Sequence, residues 1–236
     1  MQFKVIAVGS TKWERLIRRW GVSFLVGEDL LFDTFGDEKV FLRNMQRFHV
    51  GLDRIRHIVL SHDDWDHISG FWSIIERCRG ASVYLVPDFN PEIKKRIADY
   101  GIKIIQVDGP MRIKEGIYST GQLLGKSAGR VVPEQALAIQ SRMGLSVITG
   151  CAHPGIIEII RQARGICPGS VYLIAGGFHL KDTPINQVRE VIDGLKQLQP
   201  KRVYSGHCTG YRAECLLRKD FPGNYFSLKP GLVLEL

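Results

Sequence analysis

The chain has 236 residues, of which 44% are hydrophobic and 24% charged, and it carries a formal net charge of +8. One hydrophobic core can serve a chain of this size, since single cores remain workable up to roughly 250–300 residues, so the composition excludes a disordered tail, a fibre and a disulfide-built miniprotein. The opening MQFKVIAVGS has too short an apolar run for a signal peptide, and no stretch approaches the ~20 apolar residues of a membrane span, so a cytoplasmic protein with no membrane partner is expected.

From the N-terminus, β-branched and apolar runs predict strands over 3–8, 22–26 and 30–33. Apolar spacings of three and four then predict a helix over 38–48, followed by a strand over 55–61, a helix over 69–78, a strand over 82–86, a helix over 91–100 and a strand over 103–107. From about Ile113 the order begins again, with strands over 145–149, 171–175, 202–205 and 232–234 and helices over 155–163, 185–198 and 211–218. This alternation predicts an α/β fold of two packed sheets with helices outside. No linker or shift in composition divides the chain, so residues 1–236 are expected to form one domain.

The cysteines at 78, 151, 167, 208 and 215 are odd in number and contain no CxxC pair, which argues against a disulfide framework or a zinc ribbon and for a reducing compartment. Basic residues such as Arg15, Arg18, Arg19, Arg54, Lys94 and Lys201 are scattered rather than massed. Nucleic acid is therefore not the expected partner, whereas a small anionic substrate is compatible with the excess charge.

Several predicted strands end in polar residues beside glycine, in LFDTFG, IVLSHDDWDH, VITGCAH, LIAGGFH and VYSGHCTG. Loops at such ends project side chains into a common crevice. The densest is SHDDWDH, in which His62, Asp64, Asp66 and His67 are all able to ligate a cation. If these residues lie in a tight turn ahead of a helix starting near Ile68, His62 and Asp64 can face one cation while Asp66 and His67 face a second. So many acids side by side repel one another unless a cation relieves them. His153 and His207 follow other predicted strands in glycine-containing turns and complete the donor count. Cys151 and Cys208 adjoin them without a paired base, so they are read as filler.

SHDDWDH resembles the HxHxDH signature of the metallo-β-lactamase superfamily, with Asp64 at the position of the usual second histidine. LFDTFG resembles the superfamily's strand-end Asp-Thr-Gly, and WGVSFLV, EQALAI, VITGCAHPGI, AGGFHL and SGHCTG are similar to the branch related to the dihydropteroate-synthase-like enzyme of methanopterin biosynthesis. The resemblance implies a four-layer αββα sandwich and a metal-dependent hydrolase acting on a small phosphorylated or pterin-like ester through an activated hydroxide. It implies two divalent metal ions, one held by His62, Asp64 and His153 and the other by Asp66, His67 and His207, with Asp66 and His207 at the centre of catalysis. Zinc is the expected ion, and the hard oxygen of Asp64 also suits iron or manganese. Most relatives bridge their metals with an aspartate after the strand matching 171–175. Here AGGFHL offers His179 instead, as a ligand or a substrate contact, while Asp182 is expected to cap the next helix. Asp33 is expected to orient the metal loop. A diiron redox protein, a phosphodiesterase or nuclease, and a metal-stabilised binding protein are the alternative readings.

Overall fold

Side-chain alternation within the strands sets up the architecture. In β1 (Gln2–Val8), Phe3 and Val5 point to one face and Ile6 and Ala7 to the other, across a register shift between Val5 and Ala7. In β2 (Val22–Val26) and β3 (Leu30–Phe32), Phe24, Val26, Leu30 and Phe32 point to the first face while Leu25 and Leu31 point to the second. Both faces are apolar, so this sheet must be covered on both sides. The structure is a computed structural model that describes residues 1–9 and 20–236; Lys12, Arg15, Arg18 and Arg19 lie outside them.

After β3 come α1 (Glu38–Arg47), β4 (His57–Val59), α2 (Trp65–Ile74), β5 (Ser82–Leu85), α3 (Pro91–Asp99) and β6 (Lys103–Gln106). The second half contains β7 (Met111–Lys114), β8 (Ile117–Ser119), β9 (Leu123–Ser127), β10 (Arg130–Glu134), β11 (Leu137–Ser141) and β12 (Gly144–Ile148). It continues with α4 (Ile156–Ile166), β13 (Val171–Gly176), α5 (Ile185–Leu198), β14 (Arg202–Ser205), α6 (Tyr211–Asp220), β15 (Tyr225–Ser227) and β16 (Val233–Glu235).

Among the described residues these strands form two seven-stranded sheets, β16-β1-β2-β3-β4-β5-β6 and β15-β14-β13-β12-β11-β8-β7, and a separate ribbon of β9 and β10. Each large sheet starts with antiparallel hairpins and becomes parallel where helices intervene, at β3–β4 in one and β12–β13 in the other. The order therefore repeats across the halves as expected. A core of Phe3, Phe24, Phe32, Leu137, Ile139 and Leu173 fills the space between the sheets. One outer core includes Phe41, Phe71, Ile74 and Ile97 of α1–α3, and the other Ile156, Ile160, Ile192 and Leu217 of α4–α6. The layers are thus α, β, β, α, as the resemblance implied. No helix among the described residues is long and apolar enough to cross a membrane.

Three expectations are corrected. The helix predicted over 69–78 begins at Trp65, so Asp66 and His67 occupy its first turn rather than a turn before it. Asp182 does not cap α5: Pro184 holds the N-cap position, with no side-chain cap bond. Five strands between 111 and 141 and one over 225–227 went unpredicted, because segments such as MRIK, LLGKS and RVVPE mix charged and apolar residues over only four or five positions.

Candidate metal centre

Six chain segments meet at one edge of the sandwich. The end of β3 contributes Asp33, the loop after β4 Ser61 to Asp64, and the first turn of α2 Asp66 and His67. From the second half come Glu134 at the end of β10, Cys151 and His153 after β12, His179 after β13 and His207 after β14. Asp33, Ala152, His179 and His207 have φ of 53°, 63°, 49° and 53°. Non-glycine residues rarely hold this left-handed conformation, and a cluster of them marks loops whose shape is imposed by what they present.

Buried acceptors fix the histidine rings. His67 Nδ1–H donates to Asp33 Oδ2 at 2.7 Å, and the Ser61 hydroxyl donates to the same oxygen at 2.7 Å. The Ser61 oxygen in turn accepts from His62 Nδ1–H at 2.8 Å. Glu134 accepts from the backbone N–H groups of Cys151, Ala152 and His153 at 2.8–3.0 Å and from His153 Nδ1–H at 2.9 Å. When the three rings are neutral, these acceptors place the proton on Nδ1 and leave each Nε2 with an unshared pair towards the pocket, the arrangement metal-binding imidazoles need. His207 is turned the other way, with the Gly21 N–H donating to its Nδ1 at 3.1 Å.

The donor atoms fall into two linked groups. Asp66 Oδ2 lies 3.3 Å from both His67 Nε2 and His207 Nε2, which are 3.3 Å apart. His62 Nε2 lies 3.4 Å, and His153 Nε2 4.0 Å, from Asp64 Oδ2. Tetrahedral bonds of about 2.0–2.3 Å place ligand atoms about 3.3–3.7 Å apart, so the closest of these spacings already match a cation's coordination shell. His62 Nε2 is buried without a hydrogen-bond partner. An orphaned buried nitrogen is costly, and a cation is the partner that its unshared pair fits.

Charge accumulates accordingly. Burial alone would raise the Asp66 carboxyl, but His67, His207 and His62 outweigh it and hold Asp66 below the usual carboxylate range. Burial would lower His67, yet Asp66 and Asp33 together hold its imidazole well above its ordinary value. Glu134 is likewise held low, with burial outweighed first by its bond to His153. At the mouth, the half-exposed Arg130 pairs with Asp64 and lies 3.7 Å from Asp63.

All seven ligand positions expected from the sequence lie around this pocket. His179 stands at its rim, its ring centroid 4.3 Å from that of His153, with Nε2 3.5 Å from the Ser127 hydroxyl. The reading of Cys151 as filler is corrected: its sulfur lies 3.3 Å from His67 Nε2 and 3.2 Å from His207 Nε2, and burial pushes the thiol well above its ordinary range. Glu134 and Arg130 were missed as site residues, although EQALAI was noted. An acid at the end of a short, unpredicted strand gives no ligand-spacing signal.

Two helix-covered sheets with an imidazole and carboxylate pocket at their strand ends define a metal-dependent hydrolase. A profile of the metallo-beta-lactamase superfamily matches residues 21–207, and the chain belongs to that superfamily. It is 28% identical over 262 aligned residues to the 7,8-dihydropterin-6-methyl-4-(beta-D-ribofuranosyl)-aminobenzene-5'-phosphate synthase of Methanocaldococcus jannaschii, covering 91% of this chain and 89% of that protein. Among solved structures it is similar to Tm1679, described as a metal-dependent hydrolase of the beta-lactamase superfamily, with a TM-score of 0.80 at 22% identity over 100% of this chain and 99% of that one. YhfI from Bacillus subtilis, a metallo-beta-lactamase fold protein, superposes with a TM-score of 0.71 at 17% identity over 99% of each chain. These two likenesses establish the shared fold.

Proposed function

We propose that this protein hydrolyses a small anionic ester, phosphorylated or pterin-like, using two divalent cations. His62, Asp64 and His153 would hold one, and Asp66, His67 and His207 the other. The reading rests on one observation: six donor side chains from both halves of the chain meet in a single pocket, each with its donor atom 3.3–4.0 Å from another of the set. Zinc suits the imidazole-rich donor set, and the carboxylates also admit iron or manganese. We also propose that residues 1–236 work as one domain, because neither half carries a complete donor set.

Bound cations of this kind bring the pKa of water towards neutrality and polarise a carbonyl or phosphoryl oxygen. Asp66, with Oδ2 3.3 Å from both His67 Nε2 and His207 Nε2, would be placed to take the proton of the attacking water and return it to the leaving group. Asp33 and Glu134 keep His67 and His153 oriented throughout. At the mouth, Arg130 offers a planar array of donors suited to a carboxylate or phosphate. Beside His179, a cleft of about 350 Å³ is lined by Trp20, Lys126, Ser127 and Lys181, which supply an aromatic face and cationic groups for a ring that carries an anionic arm. The name of the M. jannaschii relative contains both a dihydropterin and a 5'-phosphate, consistent with such a substrate.

Elemental analysis of the purified protein, alongside assays on phosphomonoesters, phosphodiesters, lactones and thioesters, tests the reading. Two equivalents of metal and one hydrolysed class are expected, with activity and metal lost together in Asp66→Ala and His207→Ala. Unchanged activity and metal content in both variants would refute it.

A further inference from the structure

The donor set described so far leaves a gap between its two groups. No carboxylate immediately follows β13, which ends at Gly176 and runs on into Gly177. A side chain at Gly177 has no room, because its Cβ would crowd Cys208 Sγ, the Gly150 carbonyl and the His207 ring. The gap is occupied from another strand.

We propose that the Cys151 sulfur is the ligand shared by both cations, a reading that rests on the metal centre proposed above. Cys151 Sγ lies 3.3 Å from His67 Nε2 and 3.2 Å from His207 Nε2. It also belongs to a second group in which the ligand atoms of His62, Cys151 and His153 all lie within 4.8 Å of one another. Among the described residues, Cys151 is the one side chain common to both of these histidine groups.

Its position is built rather than incidental. Glu134 accepts the Cys151, Ala152 and His153 N–H groups in succession, so the carboxylate that orients His153 also anchors the backbone carrying the sulfur. The left-handed turn at Ala152, with φ of 63°, lets Cys151 and His153 serve one pocket from alternate positions. Thiolate is a soft donor with strong affinity for zinc-like ions, and the thiol proton passes to solvent when the metal–sulfur bond forms. Cys208 donates to the Cys151 carbonyl, accepts from the His179 N–H at 3.3 Å, and lies with Cys151 and His179 in a third group whose ligand atoms are within 4.8 Å of one another, but it shares no group with His62, His67, His153 or His207. It is therefore the competing sulfur that the test has to separate from Cys151.

The test replaces the native metal in the full chain with cobalt(II) under reducing, oxygen-free conditions and records the absorption spectrum. Two equivalents of cobalt are expected, with visible ligand-field bands and a near-ultraviolet sulfur-to-cobalt charge-transfer band. In Cys151→Ser the charge-transfer band should vanish and the affinity for at least one equivalent fall by at least about 10-fold, while Cys208→Ser keeps the band. Cys151→Asp should restore two equivalents without it. Bound cobalt with no charge-transfer band in the unaltered protein, or a band that survives in Cys151→Ser, overturns the sulfur assignment and leaves the metal centre standing. Failure to bind cobalt at all overturns both.

Discussion

His207 shows how one hydrogen bond can oppose a function. Its Nδ1 accepts from the Gly21 N–H, so the neutral ring carries its proton on Nε2, the atom that faces Asp66, His67 and Cys151. For His207 to ligate a cation, that proton must move to Nδ1 and the Gly21 bond must break, at a cost of about 0.5–1.5 kcal/mol. Zinc loading should therefore shift the Gly21 amide resonance and speed its exchange with solvent, as followed by NMR. An unchanged Gly21 amide in the loaded protein would mean that His207 does not bind through Nε2. Glu134 gives a second residue-scale expectation. Because its carboxyl is held below its usual value, its contribution to stability is complete above the unfolded value of about 4.3 and is lost as the pH falls through the lower folded value. In chelated protein, Glu134→Gln should cost about 1.5–3 kcal/mol at neutral pH and flatten the acid limb of a plot of urea midpoint against pH. The histidines of the site and the acids of SHDDWDH were legible because ligand chemistry needs those residue types in that spacing. Cys151, Glu134 and Arg130 were not, since a thiol beside a histidine and an isolated charge look the same in sequence whether they face a pocket or fill space.

Among the elements, the ribbon of β9 and β10 stands apart, paired with neither large sheet. Its inner end carries Glu134, fully buried beneath His153, and its outer end carries Arg130 at the mouth. Gly125 of β9 presses on the backbone of His153 and Pro154 closely enough that a Cβ would overlap both. Gly125→Ala should therefore push the ribbon off the His153 loop and destabilise the protein by about 1–3 kcal/mol. Calorimetry would read this as a lower Tm, and metal titration as weaker binding; an unaltered Tm and metal content would show that the ribbon does not bear on the loop. The ribbon was invisible in the sequence for a physical reason: Leu124 and Val131 are exposed while Pro133 and Glu134 are buried, so its polarity does not alternate as a half-buried strand's does. α2 was mislocated by four residues at its start for a related reason. Its first turn spends Asp66 and His67 on the pocket, so the apolar periodicity that marks a helix begins only after them.

On the scale of the whole molecule, the strands that pack Phe3, Phe24 and Phe32 against Leu137, Ile139 and Leu173 also bring the two halves of the pocket together. The layering was legible because predicted strands alternate with amphipathic helices and the order begins again near Ile113, which calls for two sheets with helices outside. Cations would tie the halves at their open edge. At a free zinc concentration near 100 times Kd, each site should add about 2.7 kcal/mol. For a protein of this size each occupied site corresponds to a Tm about 5–10 °C higher, so about 10–20 °C above the chelated form for two, and equal melting temperatures would show that no such tie exists.

The sharing of donors between His62 near one end of the chain and His207 near the other has a consequence for biogenesis. While a ribosome is still extending the polypeptide, the first four donors are already synthesised but lack their counterparts, and a stray ion meeting them can be held only weakly. If these residues hold the proposed cations, full occupancy would have to await the folding of β14, which delivers His207.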